Sequence, residues 1–230
     1  TGATDAVGLN LLDIKNTLHL ENAYVASQSW SAGRSGDLSV NAGNLYVLSG
    51  SEIDGSIFAE GHGGDVDVTA DNIILDGRRS GITNGIFVEA EPGSSGDAGQ
   101  LDVTAKQHLQ VLGGSEIDGS TYAQGLGGSI KIVADKLTLD GQGLGLSNGI
   151  FARAKLNSSN DAGKLNIQVD HDLIIRGGSK ISGSTFGSGN GGDVEITAGN
   201  LMLDAQGMGI ANGIFAEAEA GSGGNAGTLN

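Results

Sequence analysis

The chain repeats itself at a shift of 64 residues, and this regularity restricts its fold more than any other feature. SEIDGS begins at Ser51 and again at Ser115, and SKISGS follows at Ser179. NGIF first occurs at Asn84 and recurs twice at the same shift. Repeats of this kind are typical of solenoids, in which each unit buries its apolar side chains by stacking on its neighbours.

Each 64-residue unit divides into two related halves, because SEIDGSIFAE in one half aligns with SGITNGIFVE in the next. Every half carries three short runs in which apolar and other residues alternate. A period of two is the strand pattern, and no helical spacing is sustained. The first run starts at Leu9, Leu38, Val66, Leu101, Ile130, Leu165 and Val194, the second at Leu18, Leu45, Ile73, Leu109, Leu137, Leu173 and Leu201, and the third at Val25, Ile53, Ile82, Ile117, Leu146, Ile181 and Ile210.

Three short strands per half, joined by glycine, asparagine and aspartate turns, predict one coil of a right-handed parallel β-helix. The chain then holds about seven three-strand coils, and its true repeat is a pair of coils. We expect residues 1–230 to be a single β-helix segment of a longer repetitive protein, with units at approximately 38–100, 101–164 and 165–228. At about 4.8 Å per coil, seven coils make a rod of roughly 35 Å.

The connection that leads to the next first strand alternates between a short and a long form. The extra residues fall in PGSSGD, NSSND and GSGGN, which are small and polar. We expect them to project from one edge of the rod on every second coil. Such loops serve either as solvated spacers or as a partner-binding edge.

Composition excludes several functional classes. The chain has 42 glycines but only one proline and no Gly-X-Y period, so it is not collagen. Its formal net charge of −15 disfavours nucleic acid and anionic membranes as partners. No apolar stretch is long enough to span a bilayer, so we expect no membrane insertion of this segment. The absence of cysteine excludes disulfides and thiol catalysis.

Seven of the nine aromatic residues align at one position of the repeat and predict an aromatic column. Rings one coil apart would lie about 5 Å from each other, within stacking distance. The column consists of Trp30, Phe58, Phe87, Tyr122, Phe151, Phe186 and Phe215.

The sequence leaves open which side the aromatic column faces. Strict alternation places Phe58 with Asp54 and Glu60 on the outer side, because a charge in the core would be costly. A left-handed bend at an aligned row of glycine and asparagine could instead reset the alternation and turn the rings into the core. Outside, the column is an interaction stripe, and inside, it is packing. The row is Gly55, Asn84, Gly119, Asn148, Gly183 and Asn212.

No catalytic residue is predicted. Parallel β-helices also host polysaccharide lyases and hydrolases, and hydrolysis requires two facing carboxylates. Glu52 and Asp54 recur as Glu116 and Asp118 but give way to Lys180 in the third unit. Acids that follow the repeat in this way are interpreted as outward strand positions rather than a site, so we expect no enzyme.

No metal site or cofactor is predicted either. The histidines fall at different repeat positions or in separate coils and do not converge. Four aspartates in the connections could bind calcium at the surface or, alternatively, accept backbone hydrogen bonds as turn residues. The histidines are His19, His62, His108 and His171, and the aspartates are Asp65, Asp97, Asp161 and Asp193.

The phrases GGSEIDGSTYAQGLGGSIKI, GGSKISGSTFGSGNGGDVEITAGNLML and SNGIFARA resemble the repeat region of filamentous-haemagglutinin-like exoproteins. These are large adhesins of Gram-negative bacteria, and the resemblance covers the chain from about Leu9 onward. It implies two-partner secretion through an outer-membrane protein and a secreted or cell-surface location.

On this basis we predict a structural rod or stalk segment of a fibrous adhesin that serves attachment, aggregation or matrix building. Its expected partners are neighbouring rods or glycans of the cell surface and matrix, as in a biofilm. The alternative is a glycan-binding module that uses an exposed aromatic stripe.

Overall fold

The computed structural model describes residues 9–77, 81–207 and 209–230, and over these ranges every regular element is a β-strand. No helix in the described ranges is long and apolar enough to cross a membrane. The strands are β1 (Leu9–Glu21), β2 (Tyr24–Ala26), β3 (Asp37–Leu48), β4 (Glu52–Asp54), β5 (Val66–Asp76), β6 (Gly85–Phe87), β7 (Leu101–Leu112), β8 (Glu116–Asp118), β9 (Ile130–Asp140), β10 (Gly149–Phe151), β11 (Leu165–Arg176), β12 (Lys180–Ser182), β13 (Val194–Asp204) and β14 (Gly213–Phe215).

The strands stack into a parallel β-helix of about seven coils, which confirms the predicted fold class. The long strands form one seven-stranded sheet in the order β1-β3-β5-β7-β9-β11-β13, and the short strands form a second in the order β14-β12-β10-β8-β6-β4-β2. Each strand pairs in parallel with the strand one coil away. A third ladder of single bridges follows the short strands and joins Ser29, Ile57, Ala90, Thr121, Ala154, Thr185 and Ala218.

The first two predicted runs of each coil form one long strand that turns a corner. In β7 the alternation of buried and outer residues is interrupted where Lys106 and Gln107 are both exposed. Leu101 before the corner and Leu109 after it are both fully buried. The register with β9 shifts at the same place. The corner therefore keeps both halves of the strand facing one continuous core.

The third predicted run is correct in the coils of β2, β4, β8 and β12 and wrong in the coils of β6, β10 and β14. Ile53 is fully buried in β4, but Ile82 is 56% exposed and precedes β6. The residue that pairs with Ile53 is Ile86, which lies four residues after Ile82. The inner positions predicted for Ile82, Leu146 and Ile210 are held by Ile86, Ile150 and Ile214.

The difference between the predicted and the observed register also changes where the extra residues of the longer coils lie. The longer coils are those of β6, β10 and β14. Only residues 49–51 separate β3 from β4, whereas residues 77–84 separate β5 from β6. Most of the additional length therefore precedes the short strand and does not follow the aromatic residue as predicted. Residues 78–80 and 208 in these connections lie outside the described ranges.

Candidate functional site

The sheet of short strands and the bridge ladder carry nearly all the predicted site residues. Ile86 and Val88 belong to the continuous hydrophobic core cluster, whereas Phe87 between them lies outside that cluster although it is only 3% exposed. Strand alternation therefore places Phe87 and Glu89 on the outer side of the coil. None of the six glycines and asparagines of the predicted corner row has a left-handed φ, so no bend there resets the alternation.

The seven aromatic residues form two ladders rather than one column. Phe87 pairs with Asp54 and Asp118, not with Phe58 and Tyr122. The single-column prediction is wrong because the coils of Phe87, Phe151 and Phe215 carry their extra residues before the short strand. One ladder reads Asp54, Phe87, Asp118, Phe151, Ser182 and Phe215, and the other reads Trp30, Phe58, Glu91, Tyr122, Lys155, Phe186 and Glu219.

Polar residues interrupt both ladders, so the rings do not form a continuous apolar stripe. Trp30 and Phe58 stack with centroids 3.9 Å apart, because these two coils are direct neighbours without a polar residue between them. A cation lies over three other rings, those of Tyr122, Phe151 and Phe215. The Cζ atom of Arg153 lies 3.8 Å from the Phe151 centroid, and Lys155 Nζ lies 4.9 Å from that of Tyr122.

The predicted corner row likewise separates into two structural positions. Asn84 lies one residue before β6, in register with Ser51 and Ser115. Gly55 follows β4, and a Cβ at this position would lie 2.5 Å from Cγ2 of Val66. Gly119 and Gly183 follow β8 and β12 in the same way, whereas Asn148 and Asn212 precede β10 and β14. The glycines are needed for close packing, and Asn84 and Asn148 accept hydrogen bonds from backbone N–H groups.

Carboxylates from three successive coils line a groove of about 370 Å³ on the outer side of the short strands. This acidic groove is formed by Glu52, Asp54, Glu89, Glu91 and Glu116, together with Thr83, Phe87 and Tyr122. Asp118 lies beside it with no exposed surface. The sequence predicts outward strand positions for Glu52, Asp54, Glu116 and Asp118. Here Asp54 is 5% exposed and Glu89 is 9% exposed.

Burial and mutual repulsion raise the pKa values of the groove carboxylates. Burial is the main cause for Glu52, whose pKa is about 7, with further contributions from Asp54 and Glu91. The pKa of Glu91 is raised to about 6, again mainly by burial. Burial and then Asp118 raise the pKa of Glu89 well above its usual range and also raise that of Glu116. The groove therefore retains protons near neutral pH.

Glu89 differs from its neighbour Asp118 in having no hydrogen-bond or ion-pair partner among the described residues, although the charge of Lys155 acts on it from a distance. Asp118 accepts hydrogen bonds from the backbone N–H and the hydroxyl of Ser120, and Arg153 Nη2 lies 3.4 Å from its Oδ2. Within the described ranges, by contrast, no hydrogen bond or ion pair reaches the carboxylate of Glu89. A buried carboxyl group without a protein partner is costly, so it is stabilised by a proton, by water in the groove or by a ligand.

Comparison with protein-family models, curated proteins and solved structures gave no match. The resemblance to filamentous-haemagglutinin-like exoproteins therefore stays a prediction. The groove has to be interpreted from its own chemistry.

A charge reversal limits the acidic groove along the rod. Glu89 and Glu91 become Arg153 and Lys155 at the 64-residue shift. In the coil directly after the acidic part, Arg153 and Lys155 help to line a second groove of about 460 Å³ with Tyr122, Leu156, Phe186 and Ala220. Sequence reasoning missed Glu89 and Glu91 as groove residues. The exchange of FVEAE for FARAK was the signal that could have identified them.

The histidines and loop aspartates form no comparable site. Within the described ranges, no group of three or more histidine, aspartate or glutamate residues is placed to hold a metal ion. The prediction that the loop aspartates accept backbone hydrogen bonds is confirmed. Asp65 accepts from the N–H of Gln100, Asp97 from Leu126, Asp161 from Asn190 and Asp193 from Thr228, at 2.9, 2.8, 2.7 and 3.0 Å.

The raised pKa values predict that the fold loses stability as the pH rises. A carboxyl group whose folded pKa exceeds its unfolded value stabilises the fold fully at low pH, and this contribution is lost as the pH rises through the folded pKa. For Glu52 and Glu91 these folded values are about 7 and about 6. We therefore expect the free energy of unfolding in urea to fall between about pH 5 and about pH 8.

Glu52→Gln should flatten this pH dependence, because glutamine does not ionise. Asp67→Asn is the matched control, since Asp67 is exposed on the long-strand sheet. Identical pH profiles for wild type and Glu52→Gln would contradict the prediction.

Proposed function

We propose that this chain is a rod segment of a secreted or cell-surface fibrous adhesin and that it holds adhesive regions at a distance from the cell. The observation that carries the proposal is the parallel pairing of both sheets through all seven coils. Each coil is hydrogen-bonded to its neighbours on several faces, so bending would break many bonds at once. A stiff, regular column is what a spacer requires.

The charge of the chain supports the same role. A formal net charge of −15 keeps neighbouring rods apart and soluble. Attachment, aggregation and matrix building, with export through an outer-membrane partner, come from the resemblance to filamentous-haemagglutinin-like exoproteins. The proposed role requires no catalysis.

Duplicating residues 101–164 within the chain is expected to lengthen the particle by two coils, or about 10 Å. The duplicated unit begins and ends at equivalent long strands, so its coils can stack in register with those on either side. Small-angle X-ray scattering should show a longer maximum dimension with an unchanged cross-section.

In the matched control, the inserted copy carries serine in place of Ile117, Ile132 and Ile150, which are fully buried. This insert cannot extend the core and should broaden the particle without lengthening the rod. Lengthening by the control as well would mean that the column does not depend on core stacking.

Antibody labelling of intact producing cells tests the surface location, and labelling only after lysis would contradict it.

Glycan binding is a second candidate function, and the two neighbouring grooves favour it. The groove beside Tyr122 and Phe186 presents half-buried aromatic rings and the exposed Leu156 to solvent. Apolar surfaces with a few polar groups beside them are typical of ligand sites. This candidate uses grooves rather than the exposed aromatic stripe that the sequence predicted.

A further inference from the structure

The acidic groove has a carboxyl group without a hydrogen-bond partner at its centre. Glu89 is 9% exposed and has no hydrogen-bond or ion-pair partner within the described ranges. It lies in the coil between two rows of acids, Glu52 with Asp54 on one side and Glu116 with Asp118 on the other. An unpartnered carboxyl group that opens into a cavity is positioned to accept hydrogen bonds from a bound cation.

The chemistry of the groove favours an organic ammonium group over a metal ion. The carboxylates converge on no metal position within the described ranges. Phe87, which is only 3% exposed, and the half-buried Tyr122 line the same groove, and aromatic rings beside carboxylates suit a cation that carries an apolar body. A bare inorganic cation would make no use of these rings.

The spacing of the acids favours a sugar over a peptide. The two acidic rows lie two coils apart, or about 10 Å, which is close to the repeat of an extended disaccharide. Side chains on one face of an extended peptide recur every ~7 Å and would not match both rows. Arg153 and Lys155 in the next coil repel amines, so the acidic stretch ends after three coils.

We propose that the acidic groove binds a short stretch of a glycan with free amino groups, its ammonium held by Glu89 between the two acidic rows and its sugar rings against Tyr122. This inference rests on the second candidate function and specifies its ligand class. It does not depend on the rod proposal.

Isothermal titration calorimetry of the full chain tests the proposal with two probes, a fully deacetylated glucosamine tetramer and its N-acetylated counterpart. The deacetylated tetramer should bind, and the N-acetylated tetramer should bind at least roughly tenfold more weakly because it lacks the charge. Glu89→Gln should weaken binding of the deacetylated tetramer by a similar factor. Asp102→Asn, on the exposed side of β7, should leave it unchanged.

Each result of the titrations tests a different part of the proposal: the ammonium group, the glycan or the organic nature of the cation. Equal binding of both tetramers would overturn the ammonium proposal and leave glycan binding intact, and absence of binding by either would overturn both. Equal binding of trilysine would overturn the choice of a glycan, and competition by calcium chloride at equal concentration would overturn the choice of an organic cation. Should Glu89→Gln fail to fold, judged by circular dichroism, Glu91→Gln at the same groove provides the same comparison.

Discussion

Replacing Gly149 with alanine is expected to lower the free energy of unfolding by about 3 kcal/mol or more. A Cβ at this position would overlap the carbonyl oxygen of Lys180 in the next coil, well inside van der Waals contact. The φ of Gly149 is +146°, which L side chains rarely adopt. The overlapping atom is backbone in β12, paired on both sides, so it cannot move away without breaking ladder bonds. Urea unfolding followed by far-UV circular dichroism measures the loss.

The last coil supplies a matched control for Gly149→Ala. Gly213 holds the same position in β14, the edge strand of its sheet, and its nearest neighbour would be Cζ of Phe215 at 3.1 Å. Gly213→Ala should therefore be much milder. Gly145→Ala, with φ +70° and open space around it, should cost about 1 kcal/mol from the left-handed conformation alone. Similar losses for all three variants would show that contact with the next coil is not the cause.

The core could be predicted residue by residue because inward positions depend on local alternation. Val66, Val68, Ile73 and Leu75 were all assigned inward from spacing alone, and all are at most 1% exposed in β5. Each coil repeats the pattern, so an error in one would have been visible against the others. Parallel stacking followed, because identical coils bury their apolar faces only against each other.

The register of the long coils could not be predicted in the same way. Both Ile82 and Ile86 are β-branched and lie four residues apart, so either suits an inward strand position. Aligning NGIF with GSIF favours Ile82 as the inward residue, because the aromatic residues Phe58 and Phe87 then occupy the same position of the repeat. The actual register is fixed by Asn84, which bonds to residues 31 and 37 positions away. Local alternation contains no information about such a contact.

Burial of the acidic groove also escaped prediction. Strand alternation correctly placed Glu52 and Asp54 on the outer side, but it does not show whether another segment covers that side. Thr83, from the connection before β6, lines the groove together with them. The position of that connection depends on the register that Asn84 sets. Because the predicted register of the third run was wrong, neither the buried groove nor the separation of the aromatic residues into two ladders could be predicted.

Replacing Asn84 with alanine is expected to lower the free energy of unfolding by about 3–5 kcal/mol, because the buried N–H groups of Gly50 and Ser51 lose their acceptor and two further hydrogen bonds are lost. Its Oδ1 accepts hydrogen bonds from the N–H groups of Gly50 and Ser51, both at 3.1 Å. Its Nδ2 donates to the carbonyl of Val47 at 3.1 Å and to the Ser115 hydroxyl at 2.9 Å. Asn84 is completely buried, so water cannot replace these bonds without opening the coil. Chemical unfolding at one fixed pH measures the effect.

Two further variants show whether the hydrogen bonds, rather than the lost volume, stabilise the corner. Asn84→Asp has nearly the same shape and keeps the acceptor but loses both donors, so it should still cost about 2 kcal/mol or more. Asn212 holds the equivalent position in the last coil, where Oδ1 has no partner and Nδ2 donates to Ile175 at 3.2 Å. Asn212→Ala should accordingly cost far less than Asn84→Ala. If Asn84→Asp unfolds like the wild type, or if both alanine variants are equally destabilised, the bonds to Val47 and Ser115 do not fix the register. The corner would then depend on packing alone.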